Sequence, residues 1–300
     1  MFVIPLQTLI ISKRQKLLGI KMLIRFTKMH GAGNDYIYIN AIESCPSNLS
    51  ELSVEMSDRH KGVGSDGVVL IMPSDKADFR MRMFNADGSE GEMCGNASRC
   101  VAKYVFDKGL TSKRTITLET LAGIKVLEVT KVVDGKVQEV RVDMGEPSFA
   151  PESIPVKSNV EVVDMPLSSS LGMMKITAVG TGNPHGVVVV NNVSDIDIES
   201  IGPEIQNNEL FPRKANIEFV RIMNRDEIEM RVYERGSGET MACGTGACAS
   251  VVATSRLGLT ERRATVHLKG GDLLIHWAAD NHVYMTGEAA TVFEGEYERR

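Results

Sequence analysis

Cysteines, long apolar runs and an excess of charge of one sign are all scarce in this chain. Its five cysteines are an odd, sparse set, which argues against the disulfide framework of a secreted protein and favours a reducing compartment such as the cytoplasm. No stretch approaches the 18 or so apolar residues of a membrane span, so we expect no membrane partner. Thirty-four basic against 39 acidic residues leave a net charge of −5, which gives no electrostatic basis for binding nucleic acid. A small molecule is therefore the expected partner.

The first 21 residues are unlike the rest of the chain. An apolar run, Phe2 to Ile11, is followed by basic residues instead of being preceded by them. A secretory signal has the opposite order and ends at a small-residue cleavage site, which is missing here. We therefore interpret residues 1–21 as a disordered N-terminal extension, with Met22 as the working first residue.

The chain also carries an internal repeat with an offset of 149 residues. Gly31-Ala32-Gly33-Asn34 recurs as Gly180-Thr181-Gly182-Asn183, and Cys94-Gly95 recurs as Cys243-Gly244. Because several independent matches share one offset, we infer two equivalent halves.

Both halves show the same predicted order of elements. In the first half, strands are predicted at Leu23–Met29, Asp35–Asn40, Gly67–Met72, Phe79–Phe84, Thr115–Thr120, Ile124–Val129 and Val137–Met144, with helices at Asn48–Arg59 and Gly95–Lys108. In the second half, strands are predicted at Lys175–Gly180, Gly186–Val190, Asn216–Ile222, Glu227–Val232, Ala264–His267, Leu273–His276 and His282–Met285, with a helix at Gly244–Leu257. The proline-bearing segment Met144–Pro155 is the best linker. This pattern predicts two α+β domains with the functional site in the cleft between them.

Each half places a cysteine directly before a helix. Cys94 precedes Gly95 and Asn96, and Cys243 precedes Gly244 and Thr245. The N–H groups and positive potential of a helix start are expected to lower the pKa of a thiol from about 8.5 toward neutrality and to bind a ligand carboxylate. A buried structural thiol is the alternative for either cysteine alone, but their recurrence at one offset favours a function.

Two thiols facing one cleft suit the inversion of a Cα centre. A thiolate removes the proton from one face, a thiol returns one to the other, and the helix-start N–H groups stabilise the carbanion. The rival interpretation is metal binding by the pairs Cys94–Cys100 and Cys243–Cys248. Five and four residues separate these cysteines, whereas zinc pairs usually have two to four between them, so we predict no metal.

Seven segments resemble the signature motifs of the diaminopimelate epimerase family. They are Phe26–Asp35, Phe84–Ser89, Met93–Asn96, Gly182–His185, Asn216–Phe219, Tyr233–Gly236 and Ala242–Gly246. The likeness covers about residues 22 to 300, in the family's order.

The resemblance implies a cofactor-independent epimerase that interconverts LL- and meso-diaminopimelate for lysine and peptidoglycan precursor synthesis. It also implies a cytoplasmic homodimer whose two pseudo-symmetric domains are each a β-barrel-like sheet around a central helix. We place these domains at residues 22–147, together with the C-terminal segment 288–300, and at residues 148–287.

Residue roles carried over by motif fall into three groups. Cys94 and Cys243 are the catalytic pair. His185 and Glu234 are implied to tune the pKa of the thiols. Substrate binding is implied for Asn34, Asn85, Gly95, Asn96, Asn183, Asn216, Glu234, Arg235, Gly244 and Thr245.

Some alternatives stay open. Taken singly, each asparagine is more typical of a turn residue, and His185 suits a structural role as well as a pKa-tuning one. Gly67 stands where many family members have a substrate-contacting Gln, so we expect no side-chain contact there. A proline or hydroxyproline racemase shares the thiol chemistry but has no use for a distal carboxylate binder such as Arg235. A redox or metal module is the third possibility.

Overall fold

The computed structural model describes residues 22–299, so the predicted N-terminal extension, 1–21, lies outside the described residues. The strands are β1 Met22–Gly31, β2 Asn34–Asn40, β3 Gly67–Met72, β4 Phe79–Asn85, β5 Glu90–Gly91, β6 Thr115–Thr120, β7 Gly123–Val133, β8 Lys136–Asp143, β9 Met165–Ser169, β10 Gly172–Gly180, β11 Pro184–Val189, β12 Asn216–Asn224, β13 Glu227–Glu234, β14 Gly238–Glu239, β15 Arg263–Leu268, β16 Gly271–Trp277, β17 Val283–Glu288 and β18 Ala290–Arg299. The helices are α1 Leu49–Ser57, α2 Gly95–Asp107, α3 Ile198–Gln206 and α4 Gly244–Arg256, and a 3-10 turn covers Val193–Asp195.

The strand pairing of the first half is repeated in the second. β1 and β2 form an antiparallel hairpin, β2 runs parallel to β3, β3 is antiparallel to β4, and β4 runs parallel to β6. β10, β11, β12, β13 and β15 repeat these pairings in the same order. Parallel neighbours need a crossover connection, and the helices provide it: α1 and α3 in the first crossover of each half, α2 and α4 in the second.

The first strand of each half pairs with a strand that follows the last strand of the other half. β18 pairs antiparallel with β1 from Met22↔Arg299 to His30↔Ala290, although the two are far apart in sequence. In the same way, β9 follows β8 along the chain and pairs with β10. The pairing of β8 with β17 links the two halves into one sheet. The domain bounds proposed from the sequence remain a prediction.

The sheet is covered on both faces along β2 and β3 and along the equivalent strands β11 and β12. Along β2, Tyr36 and Tyr38 point into the central core with α2, whereas Ile37 and Ile39 pack under α1. Successive side chains of a strand point to opposite faces, so a strand covered on both sides is apolar throughout. The run of apolar residues in β3, buried from Gly67 to Ile71, follows from this.

α2 and α4 lie at the centre of the molecule. α2 is buried from Gly95 to Val105, and almost all of α4 is buried. Each ends before a glycine with positive φ, Gly109 (69°) and Gly258 (73°), as the sequence predicted for Gly109. Together with the repeated pairing, these two enclosed helices confirm the predicted α+β fold of two pseudo-symmetric halves.

Several elements escaped the sequence analysis. The most consequential is α3, because its Gly202-Pro203 pair is typical of a helix breaker. Burial of Ile198, Ile201 and Ile205 along one helical face stabilises it against the second sheet. The strands β9 and β18 were also missed. The partner of β18 is β1, at the other end of the described chain, whereas β9 forms a local hairpin with β10.

Candidate active site

A cavity of about 960 Å³ opens between the two halves, and both helix-start thiols line it. The predicted site residues along its wall are Asn34, Asn85, Cys94, Gly95, Asn96, Asn183, Glu234, Arg235, Cys243, Gly244 and Thr245. Two other predicted residues, His185 and Asn216, are buried behind the wall.

Cys94 is the N-cap residue of α2. Its backbone is extended (φ −137°, ψ 121°), and its Sγ accepts a hydrogen bond from the Ala97 N–H at 3.5 Å. The thiol donates to Asn34 Oδ1 at 3.3 Å. The sulfur therefore lies between a helix start and a side-chain amide of β2.

Cys243 occupies the equivalent position before α4. Its Sγ accepts from the Gly246 N–H at 3.4 Å and lies 3.4 Å from Thr245 Oγ1. Cys243 is only 5% exposed. Its other neighbours are the carboxylates of Glu234 and Glu218, whose negative charges raise the pKa of the Cys243 thiol.

Desolvation outweighs the helix starts in setting the thiol pKa values. Burial raises the pKa of Cys94, and the N–H groups of Ala97 and Asn96 offset that only in part. Burial, followed by the charges of Glu234 and Glu218, raises the pKa of Cys243 well above its ordinary value. The prediction that the helix starts bring both pKa values toward neutrality is therefore wrong for this structure, because removing water disfavours the thiolate more than the N–H groups favour it.

The glycines after the two thiols leave no room for a side chain. A Cβ on Gly95 would lie 2.5 Å from Met285 Cε, and one on Gly244 would lie 2.9 Å from Met285 Sδ. Met285, from β17, is thus wedged between the two helix starts. Gly95 and Gly244 both line the cavity, so the two helix starts form part of its wall, where an anion site is expected.

Asp66 orients the Asn34 amide. Its Oδ2 accepts from Asn34 Nδ2 at 2.7 Å, which leaves Asn34 Oδ1 facing Cys94. Asp66 also receives hydrogen bonds from the Asp35 N–H and from Arg59 Nη2. Asp66 and Arg59 both line the cavity and were missed from the sequence, where the Gly-x-Gly-x-Asp run that contains Asp66 was the available signal.

Glu218 and His185 hold the equivalent asparagine of the second half. His185 Nδ1 lies 2.6 Å from Glu218 Oε1, and its Nε2 lies 2.8 Å from Asn183 Oδ1. Both side chains of this pair are fully buried, and Glu218 Oε2 lacks a partner among the described residues. His185 therefore contacts Asn183 and Glu218, and the implied tuning of a thiol would have to pass through them.

Carboxylate and guanidinium groups line the second half's side of the cavity. Glu234 accepts a hydrogen bond from Thr240, and burial raises the pKa of its carboxyl group. The Arg235 N–H donates to Asn216 Oδ1 at 2.8 Å, so Asn216 positions the backbone of Arg235. Arg235 Nη1 donates to the Arg213 carbonyl at 3.3 Å, and no ion pair in residues 22–299 includes Arg235.

Gly67 has no space for a glutamine side chain. A Cβ there would lie 2.1 Å from the Phe84 carbonyl oxygen and 2.8 Å from Tyr36 Cε1. The Tyr36 ring takes this space and lines the cavity instead. Lys125 also reaches the cavity wall and was not foreseen.

Neither a metal centre nor a membrane helix is found in the part of the chain that the structure describes. No group of three or more His, Cys, Asp or Glu side chains there is arranged to hold a metal ion. Cys100 and Cys248, the second members of the proposed metal pairs, are fully buried in the central core. None of the described helices is long and apolar enough to cross a membrane.

Solved structures of other proteins share the fold of this chain. A phenazine biosynthesis protein of the PhzF family from Bacillus anthracis is similar, with a TM-score of 0.66 and 19% identity, over 93% of this chain and 100% of that one. A hydroxyproline epimerase from Agrobacterium vitis superposes with a TM-score of 0.63 and 15% identity, over 92% of both chains. At these identities the likeness shows the fold alone, a two-domain α+β fold.

Comparison with proteins of similar sequence shows the family. The model of the diaminopimelate epimerase family matches residues 26–150 and 177–292. The diaminopimelate epimerase of Acetivibrio thermocellus is 58% identical over 275 residues, 91% of this chain and 98% of that protein. That of Methanococcus maripaludis strain C6 is 56% identical over 275 residues, 91% of this chain and 99% of that protein. The chain belongs to the diaminopimelate epimerase family.

Proposed function

We propose that this protein interconverts LL- and meso-diaminopimelate by two-base epimerisation, without a cofactor. The observation that carries this proposal is the presence of both N-cap thiols, one from each half, in a single cavity. Membership of the family supports the substrate. The reaction belongs to lysine and peptidoglycan precursor synthesis.

Cys94 and Cys243 exchange protons at opposite faces of the substrate Cα. The thiolate of one breaks the Cα–H bond and becomes a thiol, and the electron pair moves into the substrate carboxylate. The other thiol then protonates Cα from the far side and becomes the thiolate. One thiol and one thiolate are present before and after the reaction, so the enzyme is ready to catalyse the reverse direction.

The reacting carboxylate lies at the two helix starts, Gly95-Asn96 and Gly244-Thr245. Both helix starts line the cavity, and their dipoles favour an anion. Their N–H groups stabilise the substrate most strongly when Cα is deprotonated, because the carboxylate then carries additional negative charge.

The distal end of the substrate meets the second half. Arg235 offers a planar guanidinium to the distal carboxylate, and Glu234 offers an acceptor to the distal ammonium. Asn85 and Asn183 add amides on either side of the cavity. A proline substrate has no distal carboxylate and would leave Arg235 unused, so this arrangement favours diaminopimelate over proline.

We further infer that the enzyme is a cytoplasmic homodimer with domains at residues 22–147 plus 288–300 and at residues 148–287. The sparse cysteines favour a reducing compartment. The dimer rests on the family resemblance, and light scattering in solution would test it. Residues 290–299 pair with β1, which supports assigning the C-terminal segment to the first domain.

Loss of Cα deuterium from labelled diaminopimelate tests the function directly. We expect wash-out together with interconversion of the LL and meso isomers, and neither with labelled proline. Wash-out from proline at a comparable rate, or none from diaminopimelate, would overturn the proposal.

A further inference from the structure

A guanidinium is enclosed directly beneath the two helix starts. Arg99, in α2, is 0% exposed and is the largest of the fully buried side chains. Its Nε donates to the Glu288 carbonyl at 3.2 Å, Nη1 contacts Met285 Sδ at 3.5 Å, and Nη2 donates to Asn96 Oδ1 at 2.8 Å. All three partners are neutral groups.

Among the described residues, no carboxylate pairs with the Arg99 guanidinium. None of the ion pairs formed by residues 22–299 includes Arg99. On the same helix, the buried charge of Lys103 is compensated in the ordinary way, by an ion pair with Asp107 at 2.8 Å. Enclosing a cation away from water without an anion is costly, so an unpaired one is uncommon.

The surrounding backbone makes room for the guanidinium. A Cβ on Gly31 would lie 3.0 Å from Arg99 Nη2, and one on Gly287 would lie 3.3 Å from Arg99 Cζ. These glycines come from β1 and β17, so strands of both halves accommodate the same side chain.

Asn96 connects Arg99 to the cavity wall. Asn96, which lines the cavity, accepts from Arg99 and directs its Nδ2 to the Ala242 carbonyl at 3.5 Å, next to the second thiol. Met285, the other contact, is the residue wedged between Gly95 and Gly244. The guanidinium and the two helix starts, connected by the Asn96 amide, therefore lie around one part of the cavity wall, the cavity floor, formed by Gly95, Asn96, Gly244 and Thr245. The positive charge of Arg99 and the helix dipoles both favour an anion there.

We propose that Arg99 is the buried countercharge of the substrate: a positioning residue that holds Asn96 and the two helix starts in place and supplies a fixed positive charge to the reacting carboxylate. This rests on the proposed function. The carboxylate gains negative charge when the Cα–H bond breaks, so a fixed cation beneath it stabilises the deprotonated state more than the bound substrate. Its loss should lower kcat more than it raises KM.

The test compares Arg99→Met and Arg99→Lys with Lys103→Met, the matched control on the same helix. We expect Arg99→Met to keep its melting temperature, because it removes an unpaired buried charge, and to lose about 100-fold in kcat, as expected for removal of one fixed stabilising group. Arg99→Lys should recover part of that loss because the charge returns. Lys103→Met should melt lower, because Asp107 loses its partner, and keep its kcat.

A second measurement requires no turnover. Sulfate at the cavity floor should slow the alkylation of Cys94 by iodoacetamide in the parent enzyme, and Arg99→Met should need at least about tenfold more sulfate for the same protection. This measurement does not depend on diaminopimelate being the substrate. Arg99→Gln, which also removes the charge, replaces Arg99→Met if that variant is too unstable. A kcat for Arg99→Met within threefold of the parent, an Arg99→Lys no more active than Arg99→Met, or equal sulfate protection in parent and variants would overturn the role of Arg99.

Discussion

The two halves present equivalent thiols in unequal surroundings. Beside Cys94 the structure places the amide of Asn34 and, beneath the floor, the Arg99 guanidinium. Beside Cys243 it places two carboxylates, Glu234 and Glu218. The backbone is repeated, but the charge around the reacting sulfur is not.

The difference arises at equivalent positions of the 149-residue repeat. Asn85 and Ala86 of the first half correspond to Glu234 and Arg235 of the second, and all four line the cavity. A substrate with two zwitterionic ends needs such asymmetry, because one end must react while the other is held. Duplicated backbone therefore provides two opposed bases, and substitutions on one side provide the orientation.

Even the two equivalent asparagines show different atoms to the cavity. Asn34 bonds Asp66 through Nδ2 and so turns its Oδ1 toward Cys94. Asn183 bonds His185 through Oδ1, which leaves its Nδ2 available as a donor. One amide therefore offers an acceptor at the site and the other a donor.

The largest effect should come from removing either thiol. Cys94→Ala and Cys243→Ala should each abolish epimerisation, because loss of a positioned acid or base typically costs about 10²–10⁴-fold and here strands the carbanion without a donor. Cys94→Ser and Cys243→Ser should each exchange the Cα proton of one stereoisomer with D2O faster than that of the other, and the two variants should prefer opposite isomers. Mass spectrometry of the recovered LL and meso substrate would measure this exchange. If both Ser variants preferred the same isomer, the two thiols would not face opposite sides of Cα.

Arg235→Lys should have the next largest effect and sharpen the contrast with Ala86. Lysine keeps the charge but not the planar pair of donors that matches a carboxylate. We expect KM for diaminopimelate to rise roughly 10- to 100-fold, as for one lost charge-assisted contact, with a smaller change in kcat. Steady-state kinetics would measure both, with Lys125→Met as a second cavity cation for comparison. Parent-like KM in Arg235→Lys would reassign Arg235 to a structural role.

Alkylation of the free enzyme should separate the thiols by pH. The thiolate is the reactive form, and the Glu234 and Glu218 carboxylates raise the pKa of Cys243 beyond the effect of burial. Iodoacetamide should therefore modify Cys94 at lower pH than Cys243. Glu234→Gln removes one of these negative charges and should lower the pH at which Cys243 reacts, while moving Cys94 less. Peptide mapping of alkylated protein across a pH series would show which thiol reacts at lower pH. If Cys243 reacted at lower pH than Cys94 in the parent enzyme, the predicted difference between the two thiols would be wrong.

The smallest effect on catalysis should come from the paired outer helices. Leu52 in α1 and Ile201 in α3 are equivalent in the repeat, and both are buried. Leu52→Ala and Ile201→Ala should each reduce the free energy of unfolding by about 2–5 kcal/mol through the cavity they create. Activity per folded molecule should stay at the parent level. Chemical denaturation with activity assays would check this, and a large loss of activity in only one variant would show that one outer layer supports the site more than the other.

The sequence alone determined the repeat, the fold class and the position of each thiol at a helix start. The repeat is visible because several matches share one offset. The helix starts depend on local signals: a small residue after each cysteine, and a glycine at the helix end. Such signals act within a few residues, so they can be recognised without knowledge of the tertiary structure.

Only the tertiary structure decided what surrounds the thiols. Glu218 occupies the inward-facing position that Val69 holds in the first half, and the partner that makes this burial tolerable, His185, lies 33 residues away. Asp66 reaches Asn34 from the start of the neighbouring strand β3, and Arg99 lies against strands from both halves. The pKa of each thiol follows from this enclosure, because desolvation depends on how densely distant segments pack around the sulfur, and no local pattern records that packing.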